Sequence, residues 1–102
     1  MTSEPTREEV DAMLGTTVLE FGAGWCPICQ AARPTIDRVI SEHPEMRHLW
    51  IEDGKGRPLG RSFGIKVWPT LVILRDGHEV GRVVRPSDAV AVRAALSTAN
   101  GT

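Results

Sequence analysis

The sequence predicts an α/β chain built on a mixed four-stranded sheet with helices on both faces. Three observations carry this reading. The segment TTVLEFGA (16–23) is β-branched and almost wholly apolar, the pattern of a strand covered on both sides. Strand-like and helix-like periodicities alternate along the chain, so a strand, a crossover helix and a second strand make a parallel unit. Towards the C-terminus the runs PTLVIL and EVGRVV flank Asp76-Gly77, a strong hairpin signal that adds antiparallel strands.

The elements follow in order. Thr6 and Glu9, just after Pro5, form a capping-box pattern. Val10, Met13 and Leu14 give the helix they open one apolar face, and Gly15 is its expected end. The strand over 16–23 comes next. From Pro27 to about Ser41 the residues Ile28, Ala32, Ile36, Val39 and Ile40 recur at helical spacing. Pro34 is expected to kink this helix, and His43-Pro44 closes it. RHLWIED (47–53) reads as a second short strand, GKGRP (54–58) as a polar loop, and LGRSFG (59–64) as a short helix ended by Gly64. After the hairpin, Ser87 is the expected N-cap of a last helix running to about Ser97, with 98–102 a disordered tail. At 102 residues the stretch 1–102 is expected to be a single domain.

Composition narrows the function. With 41% hydrophobic and 25% charged residues, the chain has the make-up of an ordinary soluble protein. Its start, MTSEPTREEVDAML, is acidic and lacks the apolar core of an export signal. The longest apolar stretch, VWPTLVIL, is too short to span a bilayer. The expected location is therefore the cytoplasm, where a close cysteine pair is usually catalytic or metal-binding rather than structural. The net charge of −1 conceals an asymmetry: residues 1–54 hold ten acids and four bases, residues 55–102 three acids and eight bases. The bases are scattered without interleaved aromatics, so neither nucleic acid nor membrane is an expected partner. Two solvated faces account for the asymmetry, or else a charged docking surface for other proteins.

Both cysteines lie in GWCPICQ (24–30). At the end of the first strand, with a helix starting at Pro27, Cys26 occupies the N-cap. There free backbone N–H groups and the positive end of the helix dipole favour thiolate over thiol. Such sites lower a cysteine pKa from about 8.5 to roughly 3.5–7.5. Pro27 suits the first helical position, where no amide proton is needed. Cys29 lies one turn in, more shielded and near enough to close a disulfide. Cys26 is thus expected to attack a substrate disulfide and Cys29 to resolve the mixed disulfide. With His43 and His48 the pair also satisfies C-x2-C-x13-H-x4-H. Pro44 would break the helix that such a zinc finger needs, and the pair opens a helix instead of sitting in a hairpin. No metal and no cofactor is expected.

The sequence resembles the thioredoxin family. The resemblance rests on VLEFGAGWCPICQAARP (18–34), with Trp25 before the first cysteine and Pro34 five residues after the second, and on VWPTLVILRDGHEVGRVV (67–84). It implies a thioredoxin-like fold and reversible thiol–disulfide exchange with proteins. Cys26, Cys29 and Glu20 are then the catalytic residues, and Trp25, Pro27, Ile28, Trp68 and Pro69 form the substrate-binding rim. Pro69 matches the family's cis-proline. Glu20 stands where the family keeps a buried acid, placed to take the Cys29 proton. A carboxylate within VLEF, on a strand covered on both faces, is also a candidate for desolvation; the alternative is an ion-paired or exposed Glu20.

The chain departs from the family's pattern in several places. Pro27-Ile28 replaces Gly-Pro between the cysteines, and Gly22 replaces a tryptophan. Trp68 stands before the proline, where its indole is expected to cover the face that Gly22 leaves open. VVRPSD replaces a glycine-containing loop and puts Arg85 in reach of substrate. The family's usual first strand is missing. The expected function is a monomeric cytosolic protein-disulfide reductase, acting on disulfide-containing substrate proteins and fed by a separate upstream reductase. The alternatives are a redox-inactive binding module of the same fold, or an oxidase or isomerase. A glutaredoxin is disfavoured because RVVRPSDAV lacks that family's glycine pair.

Overall fold

The computed structural model describes residues 4–100. Its first helix, Arg7–Asp11 (α1), is opened by a reciprocal cap. The Thr6 hydroxyl accepts the Glu9 N–H at 3.1 Å, and the Glu9 carboxylate accepts the Thr6 N–H at 2.8 Å, pairing amides that a helix start leaves free. The helix is shorter than its apolar periodicity indicated. Val10 is buried, but Ala12 already caps the C-terminus and Leu14 is 76% exposed. A helix of little more than one turn cannot carry its apolar face that far.

The parallel unit consists of Thr16–Gly22 (β1), Pro27–Ser41 (α2) and Arg47–Glu52 (β2). β1 and β2 pair in parallel from Thr17 opposite Arg47 to Gly22 opposite Glu52. α2 runs unbroken through Pro34. A short helix, Pro58–Ser62 (α3), then precedes the hairpin of Thr70–Arg75 (β3) and His78–Val84 (β4), and β3 pairs antiparallel with β1. The strand order is β2-β1-β3-β4, the mixed four-stranded sheet expected from the sequence.

The hairpin turn is held from outside. Asp76 and Gly77 have φ of 50° and 82°, the paired left-handed conformation of a two-residue turn matched to strand twist. Asp76 Oδ1 accepts the Gly15 N–H at 2.8 Å, and the Asp76 N–H donates to the Gly15 carbonyl at 2.9 Å. A Cβ on Gly77 would run into the Asp11 carbonyl. Beyond the turn the pairing slips: Leu74 faces Glu79 while Ile73 faces Gly81, so Val80 is a bulge.

Alternation along β1 explains why its sequence is apolar throughout. Val18 points into a core with Ile36 and Val39 of α2, Leu71, Ile73, and Val92 and Leu96 of the last helix. Leu19 and Phe21 point the opposite way, onto Val10, Ile51, Leu59, Phe63, Val72 and Leu74. Each large side chain buried in this way contributes about 1.5–3 kcal/mol. The last helix, Ala89–Ser97 (α4), is capped by Asp88, whose Oδ1 accepts the Ala91 N–H at 3.0 Å. The expected cap, Ser87, lies one residue outside it. Thr98–Asn100 form a single 3-10 turn instead of joining a disordered tail: Ala99 is buried, and Arg75 Nη1 donates to its carbonyl at 2.5 Å. Residues 101–102 of the expected tail lie outside the described residues.

Candidate active site

The cysteine loop joins β1 to α2 and is tied at both ends. Both oxygens of Glu52, at the end of β2, accept the Gly24 N–H at 3.1–3.2 Å. Gln30 Nε2, from α2, donates to the Gly24 carbonyl at 2.7 Å. These bonds fix the backbone two residues before Cys26. Cys26 is the N-cap of α2, and its Sγ accepts the Cys29 N–H at 3.3 Å; Pro27 holds the first helical position. Both cysteines are free thiols, 6% and 1% exposed.

The two sulfurs are driven in opposite directions. Burial pushes Cys26 up, but hydrogen bonds from the Cys29 thiol and the backbone of Cys29 and Ile28, with the positive charge of Arg85, outweigh it. Cys26 therefore lies below the ordinary cysteine value. Cys29 is pushed up to about 11, first by burial, then by its hydrogen bond to Cys26 and by the negative charges of Cys26 and Glu20. A thiolate is thus stabilised at the helix start and disfavoured one turn in.

Glu20 is fully buried. Its Oε1 lies 2.8 Å from His48 Nε2, and its Oε2 has no hydrogen-bond partner, with Arg33 Nε at 4.0 Å. It is therefore both buried and ion-paired. No hydrogen bond joins it to Cys29 among the described residues. His48, at the start of β2, is correspondingly half-buried. Asp37 completes a group with Glu20 and His48 whose ligating atoms lie within 4.8 Å of one another. Arg33 already places a cation against that group. The four residues of the zinc-finger spacing do not converge: the cysteines cluster with Ala23, Trp50 and Trp68, His48 meets Glu20, and His43 turns to Glu45 at 3.2 Å.

The space beside Gly22 belongs to Trp50, not to Trp68 as expected. A Cβ on Gly22 would lie 2.8 Å from Cys29 Sγ and 2.8 Å from the Trp50 ring, so the missing side chain is what lets the indole pack there. Arg33 covers the ring at 4.4 Å, and Trp50 Nε1 donates to Glu52 at 3.3 Å. Trp50 was not singled out from the sequence. The signal lay in the period of two, which puts His48, Trp50 and Glu52 on the face shared with Glu20 and Gly22.

Trp68 also packs against the cysteine cluster. Its Nε1 donates to Asp53 Oδ2 at 2.8 Å, and it meets Trp25 edge-on with ring centroids 5.7 Å apart. Trp25 is 72% exposed and Ile28 45%, Pro27 is also exposed, and Pro69 is buried. The Trp68–Pro69 peptide bond is cis. Arg85 braces this segment twice: its N–H donates to the Pro69 carbonyl at 2.8 Å, and its Nε to the Trp68 carbonyl at 2.7 Å. The result is a helix-capping sulfur beside an exposed aromatic rim, with a second thiol buried one turn further in.

Comparison with known proteins agrees with this geometry. The family model described as Thioredoxin matches residues 1–98. The chain is 33% identical over 75 residues to a thioredoxin from Chlamydia muridarum, covering 72% of each chain. It is 30% identical over 77 residues to thioredoxin H2-1 of Oryza sativa, covering 72% of this chain and 56% of the rice protein, little more than half of that protein's length. Among solved structures, thioredoxin 2 from Pseudomonas aeruginosa in its reduced form superposes with a TM-score of 0.84 at 51% identity, covering 97% of this chain and 93% of that one.

Proposed function

Because the chain belongs to the thioredoxin family, we propose that it is a thiol–disulfide oxidoreductase that works as a protein-disulfide reductase through Cys26 and Cys29. The observation that carries this reading is geometric: Cys26 caps α2, where its Sγ accepts the Cys29 N–H at 3.3 Å, and Cys29 lies buried one turn in. Cys26 is lowered at the N-cap and Cys29 is raised to about 11 behind it. Cys26 thiolate attacks one sulfur of a substrate disulfide lying along Trp25, Ile28, Trp68 and Pro69. The substrate S–S bond breaks, a mixed disulfide forms, and the other substrate sulfur leaves as thiolate. Cys29 then loses its proton and attacks Cys26 Sγ, releasing the second substrate thiolate and leaving the Cys26–Cys29 disulfide. Two electrons have passed from the dithiol to the substrate.

Glu20 is the acceptor for the Cys29 proton in this scheme. It is the buried acid whose charge already acts on that thiol, and its Oε2 is unoccupied by a donor. Re-reduction falls to a separate upstream reductase. The site of action is the cytosol, with the protein as a monomer; no described helix is long and apolar enough to cross a membrane.

A Cys29→Ser variant tests the order of attack, because it stalls after the first step. Mixed disulfides through Cys26 should accumulate on non-reducing gels, and their absence would overturn the assignment. Glu20→Gln should slow the second step more than the first in single-turnover reduction of a peptide disulfide; equal slowing would remove Glu20 as the proton acceptor. The Cys26–Cys29 potential decides direction. A value near about −270 mV fits a reductase, and one between about −180 and −120 mV fits an oxidant or isomerase.

A further inference from the structure

A cavity of about 320 Å³ opens beside Trp68, lined by that indole, Asp53, Arg57, Arg61 and Lys66 among others. Three cations and one acid face it. The acid, Asp53, accepts the Trp68 Nε1–H through Oδ2 at 2.8 Å and so holds that indole at the cavity wall. The charge of Arg57 is partly offset by that of Glu4. Arg61 and Lys66 form no ion pair among the described residues. Three cations against one acid leave the lining net positive, which attracts an anion, and a concave wall focuses that attraction. Trp68 is shared: one side of it borders this cavity, while Trp25 and the cysteine cluster lie against it elsewhere. Arg85 adds a further cation at the Trp68 carbonyl.

We propose that this basic cavity is a subsite for an acidic side chain of the polypeptide being reduced, so that the protein prefers disulfides flanked by glutamate or aspartate. The proposal rests on the reductase reading above. The occupant is a peptide acid because the cavity shares Trp68 with the groove proposed for the substrate backbone. An extended chain advances about 3.3 Å per residue, so an acid roughly two to four residues from the reacting cysteine can pass the indole pair and enter.

The test is single-turnover oxidation of the fully reduced protein by synthetic disulfide peptides that differ only in carrying glutamate, glutamine or lysine at those flanking positions. At low ionic strength the glutamate peptide should react about tenfold faster than the glutamine peptide. That advantage should shrink towards unity in about 1 M salt, where the Debye length is about 3 Å. An Arg61→Glu/Lys66→Glu double variant should lose the preference for glutamate and favour the lysine peptide instead. Glutamate and glutamine peptides reacting within about twofold of each other in the unaltered protein would overturn the proposal, as would a double variant that keeps the original order. Reaction without preference removes the subsite alone, whereas failure of all the peptides to react removes the reductase reading and the subsite with it.

Discussion

Cys26 and Cys29 differ little in exposure and greatly in what surrounds each sulfur. Cys26 faces the start of α2 and receives N–H groups; Cys29 faces the Gly22 side of β1 and receives an indole. Thiolate fraction follows from this, and so does reactivity. Alkylation of the reduced protein by iodoacetamide depends on thiolate, which falls as pH drops through the pKa. Cys26 should therefore still react at pH values where an ordinary thiol, with a pKa of about 8.5, has been silenced, while Cys29 stays slow until pH approaches about 11. A Cys26 midpoint at or above about 8.5 would contradict the N-cap argument. Gly22 makes a second point at this scale. Gly22→Ala forces a methyl against Cys29 Sγ and the Trp50 ring, and overpacking of this kind costs about 1–3 kcal/mol. Thermal unfolding of the reduced variant measures it, and an unchanged midpoint would mean that Trp50 slides aside freely. The cysteines and Trp25 were legible because their meaning lies in local spacing. Trp50 was not, because its role depends on the parallel register that sets it beside Glu20, and register is a property of two strands together.

Among the elements, β1 and the hairpin could be read directly, one from an apolar run that only a doubly covered strand tolerates, the other from Asp76-Gly77. Helix ends were harder. In α1 the apolar pattern outlasts the hydrogen bonding, so Leu14 looked like core and is solvent-exposed. At α4, Ser87 and Asp88 are both competent caps in adjacent positions, and only geometry separates them. Asp88→Ala should cost about 1 kcal/mol, within the usual 0.5–2 kcal/mol for a lost N-cap, whereas Ser87→Ala should change stability by less than about 0.5 kcal/mol. Urea denaturation of the two variants distinguishes them, and a larger loss at Ser87 would return the cap to the position that the sequence favoured. The tail was misjudged for a related reason. TANGT has a loop's composition, but the burial of Ala99 and its bond from Arg75 come from strand β3, far away in sequence.

At the scale of the whole molecule the strand order leaves β1 and β3 inside the sheet and gives β4 a neighbour on one side only. Its open rim is a template for another chain, and Val80 and Val84 stand exposed along it at 39% and 51%. The bulge at Val80 changes what that rim can do. One extra residue interrupts the regular ladder and increases the local twist, and Arg82 grips both carboxylate oxygens of Glu79 across the break at 2.6 and 2.9 Å. A charged, kinked border is a poor surface for adding strands. Deleting Val80 would restore a regular ladder and straighten the border into a longer, flatter margin. The deletion variant should self-associate in light scattering at concentrations where the native chain stays dispersed; equal scattering would locate the protection elsewhere. The irregularity in the hairpin thus blunts the β4 border as a place for another strand to join.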